Sequence, residues 1–115
     1  MFKISNYKIS MVEKDYGILL PITIETEDSE VIQQNDSFRF NIFQNTNKNL
    51  ILSKIYSVDS NNSFNFELTE EESEQLPVGT YKYDLDWLRN GEFLNNIIRN
   101  ESYVVMEKAG PGNES

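Results

Sequence analysis

Residues 76–93 read LPVGTYKYDLDWLRNGEF, with apolar side chains at every second position through Tyr81, Tyr83, Leu85 and Trp87. Period two is the repeat of a strand with one buried face. These side chains therefore predict an inward row, and Thr80, Lys82, Asp84, Asp86 and Leu88 an outward one. The run opens after Pro77 and Gly79 and closes on Asn90-Gly91. That dipeptide most readily takes the two positive φ angles of a type I′ turn. A strand over 80–89 is thus predicted to fold back on a partner over 92–98.

The same reading finds further strands along the chain. Residues 7–12 place Ile9 and Met11 inward, and 17–26 put Ile18, Leu20, Ile22 and Ile24 on one parity. Pro21 has no N–H to give a ladder, so that strand belongs at an edge or turns its N–H side away from a neighbour. Residues 37–43 point Phe38, Phe40 and Ile42 inward, and 63–68 do the same with Phe64, Phe66 and Leu68. Alternation is imperfect over 50–58, which predicts a bulge or an edge position. A last strand over 102–107 opposes Tyr103 and Val105 to Val104 and Met106.

The connections carry their own signals. Thr69-Glu70-Glu71-Glu72 has the form of a capping box, so a helix of one or two turns should start there and end at Leu76-Pro77. Segments 44–49 and 59–62 are turns rich in Asn, Asp and Ser. Segment 26–36 reads as a polar loop in which Val31 and Ile32 plug one end of the core. Seven to eight short strands at regular spacing, with one short helix before the 80–89 strand, predict an all-β antiparallel sandwich. Residues 1–108 form one domain in this reading, and the Gly, Pro and polar tail 109–115 is disordered.

Composition narrows the function classes. A chain of 115 residues can bury a core without disulfides or metals. It has neither Cys nor His, and so lacks a thiol nucleophile, the usual general base and the commonest metal ligands. The expectation is a protein that is not an enzyme and takes no cofactor. A net charge of −9 opposes contact with nucleic-acid phosphates or an anionic membrane. The opening MFKISNYKIS has no signal-peptide core, so a cytoplasmic start is expected.

Candidate chemistry is sparse. Asp84 and Asp86 share a strand face about 7 Å apart, close to the carboxylate spacings of glycosidases. Nothing nearby in sequence would split their acidities, so solvated outward residues explain them better. Glu70, Glu71, Glu72 and Glu74 could be read as calcium ligands, but they diverge around a helix and suit its cap. Trp87 with Tyr81 and Tyr83 could form a sugar-stacking platform, though their parity with Leu85 puts them in a core. Outward Leu19, Phe43, Leu88 and Leu94 are the candidates for a protein interface.

The pattern L-x-x-G-x-Y-x-Y-D at Leu76 to Asp84, the Asn90-Gly91-Glu92 hairpin, Ile97-Ile98 and Tyr103-Val104-Val105 together resemble a known family. It is the immunoglobulin-like domain of Firmicute phage and prophage structural proteins, which includes the N-terminal domain of the baseplate upper proteins. Ile9-Ser10-Met11, Asn35-Asp36 and Leu68-Thr69-Glu70-Glu71 fall in the matching order, so the resemblance spans nearly all of the chain but its tail. It implies an immunoglobulin-like sandwich, with Gly79 at an unusual backbone angle and Tyr81 as a tyrosine corner. It also implies a virion structural protein of tail or baseplate type, present in the host cytoplasm during assembly and then in the virion. Its partners would be other virion proteins, with oligomers compatible and no direct contact with nucleic acid or membrane. Two other classes make different demands on the surface. A small acidic inhibitor that imitates DNA would gather its carboxylates on one face, and a carbohydrate-binding module would expose Trp87 or the tyrosines.

Overall fold

A computed structural model of the chain describes residues 3–5, 8–12, 17, 19–25 and 31–107. Among the described residues eight strands and one helix follow in order: β1 (Lys3–Ser5), β2 (Lys8–Val12), β3 (Leu20–Thr23), β4 (Asp36–Gln44), β5 (Leu50–Ser57), β6 (Ser63–Phe66), α1 (Glu70–Glu74), β7 (Gly79–Arg89) and β8 (Glu92–Met106). The protein is all-β, as its alternation predicts. Six strands form one sheet in the order β1-β2-β8-β7-β4-β5, and β3 and β6 form a second.

The large sheet is mixed rather than wholly antiparallel. β2 runs parallel to β8, with Ile9 opposite Tyr103 and Met11 opposite Val105. Parallel neighbours need a long crossover, and here everything between β2 and β8 supplies it. Alternation cannot reveal this, because inward and outward rows look the same in either direction.

The hairpin forms as its turn chemistry requires. Asn90 and Gly91 have φ of 53° and 80°, the positive pair of a type I′ turn. The partner strand differs from expectation, since 92–98 and 102–107 belong to one strand, β8. Three register shifts separate it from β7. Leu88, Trp87 and Asp86 face Phe93, Asn95 and Asn96, then Leu85 faces Ile98 and Tyr83 faces Glu101. Each shift inserts one extra residue into β8: Leu94, Ile97, and one at the kink where Asn100 takes φ 57°. A bulge resets which residues face inward and sharpens the local twist. One strand therefore reads in sequence as two.

Other expectations hold with local reasons. β5 is an edge strand with a register shift opposite Ile42/Phe43, which accounts for its broken alternation. Among the described residues β3 has β6 as its sole ladder partner, so Pro21 costs no bond on its open side. The capping box is complete, with the Thr69 hydroxyl accepting from Glu72 N–H and the Glu72 carboxylate accepting from Thr69 N–H. The Tyr81 hydroxyl donates to the Pro77 carbonyl across the start of β7, where Gly79 has φ 159°. Of the loop pair expected to plug the core, Ile32 packs against it, while Val31 is 67% exposed. The tail 109–115, Ile18 and residues 26–30 lie outside the described residues.

The core lies between the sheets and has an aromatic centre. Phe40 of β4 stacks on Phe66 of β6 at 4.1 Å and on Tyr83 of β7 at 5.0 Å. Phe38 stacks on Phe64 at 6.2 Å and on Trp87 at 6.0 Å. Ile9, Met11, Leu20, Leu68, Leu76, Leu85 and Val105 are among the aliphatic side chains packed around this centre. The Tyr103 hydroxyl, buried here, donates to Met11 Sδ at 2.9 Å, and its burial pushes the phenol's pKa up.

Candidate functional site

The four residues expected to form an interface are not gathered together. Leu19, just ahead of β3, and Leu94, one of the bulge residues of β8, are both exposed. Phe43 is half-buried on β4. Leu88 corrects its expectation, because it is only 2% exposed. It occupies the outward row yet lies at the register shift between Trp87 and Leu88, where added twist breaks the link between parity and exposure. Phe43 faces Lys82, six positions along β7 from Leu88 and so roughly 20 Å away by strand rise.

The outward row instead holds a polar network. Arg39 faces Asp86, Asn41 faces Asp84, Ser53 faces Asn41 and Asn96 faces Asp86, a belt across four adjacent strands. Asp86 Oδ2 accepts from Arg39 Nε at 3.2 Å, Arg39 Nη2 at 3.0 Å and Asn41 Nδ2 at 3.0 Å. Its Oδ1 accepts from Asn96 Nδ2 at 2.8 Å, and Ser53 Oγ donates to Asn41 Oδ1 at 2.7 Å. Asp86 and Asn41 are each 7% exposed, which overturns the expectation that Asp86 is solvated. A carboxylate buried with four donors is not an uncommitted acid or base. Asp84 does separate work, accepting the Asn100 N–H at 2.7 Å and so pinning the β8 kink.

Beside this belt is a cleft of ≈ 300 Å³ lined by Phe43, Lys48, Lys82, Asp84, Arg99 and Asn100. Lys48, at φ 58° in the β4–β5 turn, donates its N–H to the Gln44 carbonyl at the end of β4, and Arg99 and Asn100 come from the β8 kink. Arg99 Nε donates to Asn96 Oδ1 at 3.2 Å, linking the cleft to the belt.

A second buried carboxylate, Asp36, closes the hairpin end. Its Oδ2 accepts from the Trp87 indole N–H at 2.8 Å, the Gln33 N–H at 2.8 Å and Arg89 Nη2 at 3.0 Å. Its Oδ1 takes Arg89 Nε at 2.8 Å. Arg89, through these bonds foremost, holds the Asp36 carboxyl down at about 2. The indole is therefore spent on a structural bond and Trp87 is buried, so it offers no exposed platform for a sugar.

One of the helical glutamates is committed as well. Glu72 closes the cap and pairs with Lys54 Nζ at 2.8 Å. Burial opposes both charges, yet the pairing wins and holds Glu72 below and Lys54 above their ordinary values. Among the described residues no group of three or more acidic, Cys or His side chains is placed to hold a metal. Sequence reading missed Arg39, Asn41, Ser53 and Asn96 as a unit. The signal was present in the outward rows of β4 and β7, but pairing Arg39 with Asp86 needs the register. No family model, characterised protein or solved structure matches the chain.

Proposed function

We propose that the protein is a non-enzymatic structural component of a phage or prophage particle. In this reading it is an immunoglobulin-like domain of tail or baseplate type that docks on other virion proteins through the outer face of its large sheet. The observation that carries the docking is the state of that face. Its polar centre is already fixed by internal hydrogen bonds, while Ile55 and Phe93 on its rows stand 62% and 59% exposed. A surface whose polar groups are held in place loses little freedom on binding, and large apolar side chains around an arginine are what interfaces use. The virion assignment draws on the family resemblance of the 76–93 stretch and its flanks. A DNA-imitating inhibitor is the weaker reading, because this face and its cleft carry Arg39, Lys48, Lys82 and Arg99 against Asp84 and Asp86.

Particles banded on a density gradient from a culture that produces the chain test the proposal. The protein should co-sediment with them at fixed stoichiometry to the major tail proteins. An Ile55→Asp, Phe93→Asp variant that remains folded should be left in the soluble fraction. Wild-type protein found only in the soluble fraction would reject the virion reading, and a variant that still enters particles would reject this face.

A further inference from the structure

Of the described basic side chains, Arg39, Lys54 and Arg89 each pair with a carboxylate at 3.0, 2.8 and 2.8 Å. The other three, Lys48, Lys82 and Arg99, pair with no carboxylate within 4.0 Å among the described residues, and all three line the cleft beside Phe43. The chain has 19 acidic residues against 10 basic ones, so carboxylate partners are not scarce. Two of these three cations are steadied by neutral groups. Arg99 Nε donates to Asn96 Oδ1, and Lys82 Nζ lies 3.5 Å from Ser102 Oγ. These contacts fix position without cancelling charge. Asp84, the one acidic residue lining the cleft, has Oδ1 turned to the Asn100 N–H. Three cations against one carboxylate leave the cleft with a formal charge of +2.

From this we infer that the cleft binds a phosphate monoester carried on an aromatic group. Such a phosphate holds close to two negative charges at neutral pH and presents three strong acceptor oxygens, which matches the charge and the three separate donors. The Phe43 ring beside them supplies a face for the attached ring to stack on. The volume suits a small ligand, at the lower end of the roughly 300–1,000 Å³ typical of such sites. A single carboxylate would leave half the charge unmatched, and a neutral aromatic would leave all of it. The inference is independent of the virion proposal.

Titrating ¹⁵N-labelled full-length protein with phenyl phosphate, inorganic phosphate and phenol tests it. Phenyl phosphate should give saturable shifts at the amides of Phe43, Lys48, Lys82, Arg99 and Asn100, with inorganic phosphate weaker and phenol weakest. Lys82→Gln and Arg99→Gln should each weaken phenyl phosphate about five- to tenfold. Gln75→Glu, which lowers the net charge by the same single unit at the end of α1, should change it by less than about twofold. Phe43→Leu should weaken phenyl phosphate while leaving inorganic phosphate unchanged. The spectra report folding of every variant. Absence of saturable shifts at millimolar phenyl phosphate, phenol binding equal to phenyl phosphate, or equal losses in Gln75→Glu and Arg99→Gln would overturn the site.

Discussion

The two faces of the β4–β7 pair are built by one alternation rule and are buried in two different ways. On the inner face Phe38, Phe40, Tyr83 and Trp87 lose water to one another and to the rings of β6. On the outer face Asp86 and Asn41 are also buried, but they exchange water for Arg39, Asn96 and Ser53. Apolar burial is non-directional and tolerates modest shifts of the rings. A buried carboxylate is stable only with its donors in place, so the outer face depends on register while the inner face depends on volume. Low exposure therefore does not identify a core.

The largest expected effect lies on the inner face. Phe40→Ala empties the centre of the aromatic stack between the sheets and should cost about 3–5 kcal/mol in urea unfolding, with little change in the denaturant slope. A loss below about 1 kcal/mol would mean that the space between the sheets is not the core. Next comes the centre of the outer face. Asp86→Ala leaves the Arg39 guanidinium and two side-chain amides without their acceptor, and should cost about 2–3 kcal/mol. Arg39 stays partly in solvent, which keeps the loss below that of a fully buried pair. If Asp86→Ala were neutral, water would be replacing the belt and the contrast between the faces would collapse.

Asp36 tests the same distinction through pH. Its carboxyl is lowered from 3.8 to about 2 in the fold, chiefly by Arg89, so the folded state favours the ionised form. The resulting stability is complete above pH 4 and is lost as pH falls towards 2. With allowance for solvent screening it is of order 1–2 kcal/mol. Wild type minus Asp36→Asn, measured by urea unfolding at several pH values, should therefore shrink as pH drops through that window. A difference that stays constant from neutral pH to pH 2 would show that the Asp36 carboxyl titrates alike in the folded and unfolded chain and gains nothing from Arg89.

Much of the fold was legible because Tyr81, Tyr83, Leu85 and Trp87, then Phe38, Phe40 and Ile42, mark inward rows without interruption. The Asn90-Gly91 turn and the Thr69 cap were legible for a similar reason, since each depends on a few adjacent residues. What escaped depends on residues far apart in the chain. The β2–β8 parallel pairing joins Ile9 to Tyr103, and no local pattern encodes it. The bulges at Leu94 and Ile97 broke one strand into two in the reading and left Leu88 assigned to solvent. The belt escaped because Arg39 and Asp86, 47 residues apart, look like ordinary outward charges until the register sets them opposite one another.

The smallest effect is the most telling about the outer face. Ile55 is directly opposite Arg39 on the edge strand β5, at one end of the belt, and stands 62% exposed. If this face is a surface in the isolated domain, Ile55→Lys removes almost no packing and should change stability by no more than about 0.5 kcal/mol. The side chain keeps room for its ammonium in water, and the added charge lies beside a guanidinium already engaged by Asp86. A loss several times larger in the purified domain would mean that Ile55 is covered there. Low cost in isolation combined with exclusion from particles would separate a docking surface from a core, because only the first is insensitive to the change until a partner arrives.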